Sequence, residues 1–145
     1  MTSTGAEEAV GREPEMEELP EAECYRLLRA SRLGRVVLVA GGRPEVFPVT
    51  YAVHDQLIAF RTGPGTKLLA EVMWAAAFEV DGIETHARVA WSVIMHGVAH
   101  EVEPGSPTSD ALWELLPETM APGAKSHWIT IHPTEVTGRR FHLRS

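Results

Sequence analysis

The feature that most constrains the fold of this chain is a succession of short β-branched and aromatic runs separated by tight turns. Residues 35–40 form the first run, which ends at Gly41-Gly42, a hairpin signal, before the second run begins at residue 45. The complete set of predicted strands covers residues 35–40, 45–53, 56–62, 76–81, 88–102, 127–132 and 135–142. Consecutive strands with few helical crossovers favour an antiparallel Greek-key barrel over a doubly wound parallel sheet.

Three helices are predicted to flank these strands. Residues 20–31 open with a proline and acidic side chains, and apolar residues follow at helical spacing. Residues 66–74 show the same spacing, and a helix over residues 108–116 is expected to be capped by Thr108, Ser109 or Asp110. The predicted fold class is therefore α+β and mainly β, with flanking helices.

The negative charge of the chain is concentrated near its N-terminus. The net charge is −7, and residues 1–23 hold 8 acidic side chains and 1 basic one, so this segment alone accounts for 8 − 1 = 7 charges. The rest of the chain is neutral, which argues against nucleic-acid binding, because a phosphate backbone requires a basic excess. Residues 1–18 offer little apolar surface and are predicted to be a disordered acidic leader, which leaves residues 19–145 as one domain.

Cysteine and histidine usage sets expectations about compartment and metals. Cys24 is the single cysteine of the chain, so no intramolecular disulfide can form. The N-terminus lacks a signal-peptide pattern, and no stretch approaches the roughly 18 consecutive apolar residues of a membrane span. We therefore expect a cytoplasmic protein that does not enter a membrane. The 7 histidines lack cysteine or carboxylate partners at ligand spacing, and no metal site is predicted.

The segment FRTGPGTKL, residues 60–68, carries the strongest chemical signal. A predicted strand delivers Arg61 and Thr62, and two glycines then expose backbone amides. Thr66 and Lys67 open the next predicted helix, whose N-terminus favours an anion. The pattern indicates a phosphate cradle held by side chains without a metal. The alternative is an ordinary strand-to-helix turn whose arginine is a solvated rim residue.

Two further segments are candidates for ligand contact. Trp91 and Ser92 alternate within a predicted strand, so one can serve a pocket while the other packs in a core or an interface. Pro48 cannot donate to a sheet ladder, so residues 48–51 are expected at an edge or break, with backbone groups available to a planar ligand. An ordinary satisfied serine and an ordinary edge strand are the alternatives.

Five segments in this order resemble the pyridoxamine 5'-phosphate oxidase-like family of flavin-binding split barrels. They are LPEAECYRLLRASRLGRV, PVTY, FRTGPGTKL, FEVD and WSVIMHG, and the resemblance covers residues 19–140. It implies a six-stranded split barrel, a homodimer, and flavin mononucleotide (FMN) bound at the subunit interface. The cofactor-binding residues that it implies are Pro48, Val49, Thr50, Tyr51, Arg61, Thr62, Thr66, Lys67, Trp91 and Ser92.

The C-terminal tail departs from the true oxidase. VTGRRFHLRS does not reproduce the arginine and histidine motif that holds pyridoxal phosphate there, so vitamin B6 oxidation is not expected. The resemblance implies an FMN-dependent oxidoreductase with a small-molecule substrate, and no residue pattern names a catalytic acid or base. One alternative is a reductase using the deazaflavin coenzyme, with Arg88, Arg139 and Arg140 forming a basic channel. The other is a non-catalytic flavin carrier.

Overall fold

A computed structural model of the protein describes residues 16–63, 73–115 and 127–144. The strands are β1 (Met16–Glu18), β2 (Leu33–Ala40), β3 (Arg43–His54), β4 (Leu57–Thr62), β5 (Met73–Glu84), β6 (Val89–Glu101) and β7 (His127–His142). The helices in these residues are α1 (Glu21–Ala30) and α2 (Pro107–Glu114). Neither of these two helices has the length and apolarity to cross a membrane.

Six of the strands close into an antiparallel barrel. The order around the ring is β7, β4, β3, β2, β5 and β6, and β6 pairs with β7 to complete it. β2, β3 and β4 follow one another directly, and β5 returns to lie beside β2, which is the Greek-key arrangement. The predicted six-stranded Greek-key barrel is confirmed. β1 is an additional strand outside the ring, paired with the C-terminal part of β7.

The turns follow from local backbone chemistry. Gly41 and Gly42 adopt φ values of 59° and 76°, as a tight hairpin turn between twisted strands requires. Asp55 and Gln56 also have positive φ, at 47° and 67°, and join β3 to β4 in the same way. Gln56, predicted as the first residue of a strand, therefore belongs to the turn before it.

Alternate side chains of the strands fill the barrel, and α1 adds its apolar side to the same core. Phe78 is fully buried in it, and its ring occupies the space beside Gly34, where an added Cβ would lie 2.3 Å from Phe78 Cζ. Cys24 of α1 is buried, as core packing predicts, and this burial raises the pKa of its thiol. The apolar alternation in the sequence thus corresponds to the inner face of the barrel.

Long-range pairing overrides two of the sequence-based boundaries. Residues 73–74, predicted to end a helix, begin β5, because Trp74 pairs with Ala99 of β6 and packs into the core. Residues 66–72 of that predicted helix lie outside the described residues. Met16–Glu18, predicted as part of the leader, forms β1, and its two glutamates stand opposite Arg139 and Arg140 of β7.

The last part of the chain differs from the prediction in the cap of its helix. α2 is capped by Ser106, whose hydroxyl accepts a hydrogen bond from the Ser109 backbone at 3.2 Å, and not by residues 108–110. Residues 127–132 and 135–142, which the sequence assigns to one strand or two, form the single strand β7. The register shifts opposite Gly97, where Thr134, next to Pro133, is the extra residue of a β-bulge.

Candidate functional site

Arg61, at the C-terminal end of β4, lies beneath α2. Ile58 and Phe60 point into the barrel core, so Ala59 and Arg61 lie on the outer face of the strand. Leu112 of α2 packs against Ala59 and covers this face. Arg61 is consequently only 7% exposed. The interpretation of this arginine as a solvated rim residue is therefore wrong.

Two tryptophans form the surroundings of Arg61. Trp128 of β7 is its cross-strand neighbour, and the guanidinium carbon lies 5.4 Å from the ring centroid of Trp113 on α2. The indole rings of Trp113 and Trp128 meet edge to face with centroids 5.6 Å apart. We call these three residues the Arg61 cluster. Within the described residues the indole Nε1 of Trp128 is buried without a hydrogen-bond partner, so the cluster holds a polar donor that those residues do not satisfy.

The neighbouring strand presents an edge beside this cluster. β3 pairs with β4 only from Tyr51 onward, opposite Phe60, whereas residues 48–50 pair with β2 alone among the described strands. We call the side of residues 48–50 that faces away from β2 the open edge of β3. The prediction that Pro48 marks an edge or break is confirmed, and the open edge lies next to the end of β4 that carries Arg61 and Thr62.

The side chains along this segment alternate between two environments. Pro48 and Thr50 are exposed on the outer face, whereas Val49 and Tyr51 point toward the core. The Tyr51 hydroxyl donates to the Leu28 backbone carbonyl at 2.6 Å, and burial raises the Tyr51 pKa to about 12. The Tyr51 side chain therefore anchors α1, and any contact that Tyr51 makes with a planar ligand has to come from its backbone.

Trp91 and Ser92 do not join this group within one chain. Trp91 points inward, is buried, and fills the space beside Gly82, where an added Cβ would lie 2.7 Å from its ring. Ser92 points outward on β6, the strand opposite β3 in the six-membered ring. Ser92 also pairs with Arg139 of β7, 139 − 128 = 11 residues from Trp128, or roughly 36 Å along the strand.

Of the remaining predicted cofactor-binding residues, Thr62 lies in the described part of the chain, and Thr66 and Lys67 do not. Thr62 is buried at the end of β4, opposite His127 of β7. Thr66 and Lys67 lie outside the described residues. Of the segment predicted to form a phosphate cradle, the described residues include the strand end, where Arg61 and Thr62 are both withdrawn from solvent.

Sequence reasoning did not assign Trp113 and Trp128 to the site. A signal for Trp128 is present in the run HWITIH, since Ile129 and Ile131 define the inner face and leave Trp128 on the other. No comparable signal marks Trp113, because its contact with Arg61 joins residues 52 positions apart (113 − 61). The covering of Arg61 by α2 is visible in the tertiary structure alone.

Other charged groups near these strands are engaged with one another. Arg35 of β2 contacts Glu79 at 2.6 Å and Asp81 at 2.7 Å on the outer face of the barrel. Burial raises the pKa of Glu79, and its hydrogen bond to Asp81 lowers the pKa of the latter. Arg140, a candidate for a basic channel, instead contacts Glu23 at 2.8 Å and Glu17 at 3.5 Å. These contacts tie β1 and α1 to β7.

The described histidines do not gather into a metal centre. His100 and His132 lie with ring centroids 4.7 Å apart, and burial, with a smaller contribution from His100, lowers the pKa of His132. Across residues 16–63, 73–115 and 127–144, no three or more His, Cys, Asp or Glu side chains come together in a way that would hold a metal ion.

Known proteins are similar to this chain in sequence and in fold. The chain is 32% identical over 133 residues to the uncharacterized protein Rv0080 of Mycobacterium tuberculosis, covering 88% of this chain and 86% of that one. The FAD binding protein from Mycobacterium smegmatis is 35% identical with a TM-score of 0.70, covering 86% of this chain and 97% of that one. A FAD-binding protein from Mesorhizobium loti is 27% identical with a TM-score of 0.71, covering 86% and 97% in the same way.

The sequence pattern of one family extends over nearly the whole barrel. Residues 20–140 match the family described as pyridoxamine 5'-phosphate oxidase. This range runs from α1 through every strand of the ring to the C-terminal part of β7, so it includes the Arg61 cluster and the open edge of β3. The chain belongs to the pyridoxamine 5'-phosphate oxidase family.

Proposed function

We propose that this protein binds a flavin nucleotide, with the phosphate at the end of β4 and the ring along the open edge of β3. The observation that carries the proposal is the burial of Arg61 beside that edge. A guanidinium forms two parallel hydrogen bonds with phosphate, and these are strongest where water is excluded. Family membership and similarity to two proteins named for FAD binding support the same conclusion.

The groups present fit the polar parts of a flavin nucleotide. Arg61 and Thr62 offer a cation and a hydroxyl for a phosphate, and the buried indole N–H of Trp128 offers one more donor beside them. The open edge of β3 offers backbone carbonyl acceptors and the Thr50 N–H to the rim of a planar ring, whereas Pro48 has no N–H to donate. We propose that Thr66 and Lys67 complete the phosphate contacts.

We propose that the chemistry is oxidation or reduction of a small molecule. A bound flavin supplies hydride or electron transfer, and the protein positions it and excludes water. Phosphate contacts from Arg61 fix one end of the cofactor, while backbone groups of β3 fix the ring. FMN and FAD share the ring and its 5'-phosphate, so these contacts suit both. The sequence resemblance favours FMN, whereas the two similar proteins are named for FAD.

We propose that the working unit is a homodimer in which two chains share each flavin site. The cross-strand partners of Arg61 and Ser92 on β7, Trp128 and Arg139, are 11 residues apart, which favours contact with one flavin from two different chains. The outer face of β2 and β3 carries the exposed apolar side chains Leu33, Val39 and Val46, which lie beside Pro48 on the same face. We propose that the partner subunit supplies Ser92 to the site, as the position of this residue in the sequence resemblance implies.

The first experiment is the visible spectrum of the purified protein, with chromatography of the cofactor released on denaturation. We expect flavin absorption at close to one flavin per chain and oxidation of NADH or NADPH with an added acceptor. Bound flavin without turnover would identify a carrier. Binding of the deazaflavin coenzyme and not of FMN or FAD would overturn the flavin proposal, as would binding of none of the three.

Arg61→Gln tests the phosphate contact directly. We expect the Kd for FMN to rise about 10- to 100-fold, because charge-assisted hydrogen bonds contribute about 1.5–3 kcal/mol each. Arg43→Gln is the matched control, since Arg43 is exposed at the start of β3. Titration of apoprotein with FMN, followed by flavin fluorescence, measures both variants, and circular dichroism confirms that each is folded. Equal affinities for the two variants would refute the assignment of Arg61.

The shared site is tested by co-expression of two defective chains. Arg61→Gln and Ser92→Asp each disable one half of a composite site, so a mixed dimer keeps one intact site and one doubly altered site. We expect co-expressed, separately tagged chains to recover bound flavin that neither variant retains alone. Analytical ultracentrifugation supplies the oligomeric state. A monomer that retains flavin would contradict the two-chain arrangement.

A further inference from the structure

Trp113 combines a fixed orientation with an exposed aromatic face. It lies in the last turn of α2, whose Leu112 is fully buried against the outer face of β4. Arg61 and Trp128 both contact its ring, at 5.4 Å and 5.6 Å. Trp113 is nevertheless 40% exposed. Its ring is thus held in place from one side while a large apolar area remains in contact with water.

Trp113 lies next to the residue that we assign to the phosphate. Arg61 and Trp128 are cross-strand neighbours on the outer face of the sheet, and both contact the Trp113 ring. We call the exposed part of this ring the shelf. A phosphate held by Arg61 would lie beside the shelf, within reach of a nucleotide that continues beyond that phosphate.

Adenine matches the chemistry of the shelf. Indole rings stack on nucleobases, and a ring that is already immobilised loses little conformational entropy when it does so. Asp110 precedes Trp113 by three residues, which places it on the same side of α2, and it is exposed. Its carboxylate can accept a hydrogen bond from the exocyclic amine of adenine. An apolar ring beside an acceptor therefore provides stacking and an edge contact together.

We infer that Trp113 is the stacking platform for the adenine ring of a bound FAD and sets the preference of this protein for FAD over FMN. The inference rests on the proposed flavin site and adds the identity of its nucleotide. FMN ends at the phosphate and has no adenine ring to stack on Trp113. Trp113→Ala removes a contact with Arg61, which serves both flavins, and the stacking contact, which only FAD makes, so FAD affinity should fall more than FMN affinity.

The test compares the Kd values for FAD and FMN in four chains: wild type, Trp113→Ala, Trp113→Phe and Leu115→Ala. Leu115 is the matched control, an exposed apolar side chain at the end of the same helix, 46% exposed. We expect Trp113→Ala to weaken FAD binding about 5- to 50-fold more than it weakens FMN binding, from the usual strength of base stacking. Trp113→Phe should retain most of the FAD affinity, and Leu115→Ala should match wild type.

Each result decides the inference. Equal weakening of FAD and FMN binding would show that Trp113 acts by holding Arg61. No weakening of either would show that Trp113 has no part in binding. Either result would refute the inference that Trp113 stacks on adenine. Should Trp113→Ala fail to fold, Trp113→Leu preserves the apolar contact without a ring and takes its place. A wild-type protein that binds neither flavin defeats the proposed function itself, whereas one that binds both flavins equally defeats the preference alone.

Discussion

The α1 region and the Arg61 cluster differ in the hydrogen bonding of their buried polar groups. Near α1, the Tyr51 hydroxyl donates to the Leu28 carbonyl at 2.6 Å and the Tyr25 hydroxyl donates to the Gln56 carbonyl at 2.9 Å. In the Arg61 cluster, the buried Trp128 N–H has no hydrogen-bond acceptor among the described residues. Both regions are well packed, so the difference is one of polar complementarity.

Under the proposed function, this contrast separates groups that stabilise the fold from groups that bind the flavin. A buried hydroxyl with a good acceptor contributes to stability, whereas a buried donor without one carries a desolvation cost in the ligand-free protein. Substitutions near α1 should therefore change the free energy of unfolding with little effect on flavin binding. Substitutions in the Arg61 cluster should change binding most.

The largest effect is expected from Phe78→Ala in the core. Phe78 is fully buried and its ring meets Tyr51 edge to face at 4.8 Å. We expect the free energy of unfolding to fall by about 3–5 kcal/mol, from lost burial and the cavity left behind. Urea denaturation of the flavin-free protein measures it, with Leu115→Ala as a surface control expected to change stability by less than about 0.5 kcal/mol. A loss below about 1 kcal/mol would show that Phe78 is not tightly packed in the core.

Tyr51→Phe sharpens the comparison, because Tyr51 is both an anchor of α1 and a predicted flavin contact. Removing its hydroxyl leaves the Leu28 carbonyl without this donor and should cost about 1–2 kcal/mol of stability. Flavin affinity should stay within about twofold, since the contacts assigned to residues 48–51 come from the backbone. Tyr25→Phe, which removes a longer and more exposed hydrogen bond, is the matched control. A large loss of flavin affinity in Tyr51→Phe alone would contradict the separation between residues that stabilise the fold and residues that bind the flavin.

The smallest effect is expected from Glu23 and appears as a pH dependence. Hydrogen bonds from Arg26 and Arg140 lower the Glu23 pKa from 4.5 to about 2. The folded state therefore holds the carboxylate charged, and the stability gained is present above about pH 4.5 and is lost as the pH falls toward 2. Glu23→Gln should reduce the difference in thermal midpoint between pH 6 and pH 3, more at low salt than at high salt. An unchanged difference would mean that other carboxylates account for the acid sensitivity.

The extent to which sequence predicted this protein differs between the fold and the site. The β2–β3 hairpin, α1, and the placement of Pro48 at an edge follow from alternation, helical spacing and the chemistry of glycine and proline, which act over a few residues. The start of β5 at residue 73 and the pairing of β1 with β7 do not follow, because both depend on partners far along the chain. Helical spacing over residues 66–74 could not reveal the β6 strand that pairs with residues 73–74.

The sequence by itself determined which residues at the end of β4 are candidates for contact with a phosphate. Arg61 and Thr62 are recognisable from a strand that runs into a glycine-rich turn, a local pattern. Tertiary structure alone decided that α2 buries Arg61 under Trp113, that Trp91 belongs to the core, and that Ser92 lies across the barrel from β3. The physical reason is that burial and proximity depend on contacts between residues distant in sequence, which form when the barrel closes. Turn and strand preferences depend on neighbouring residues.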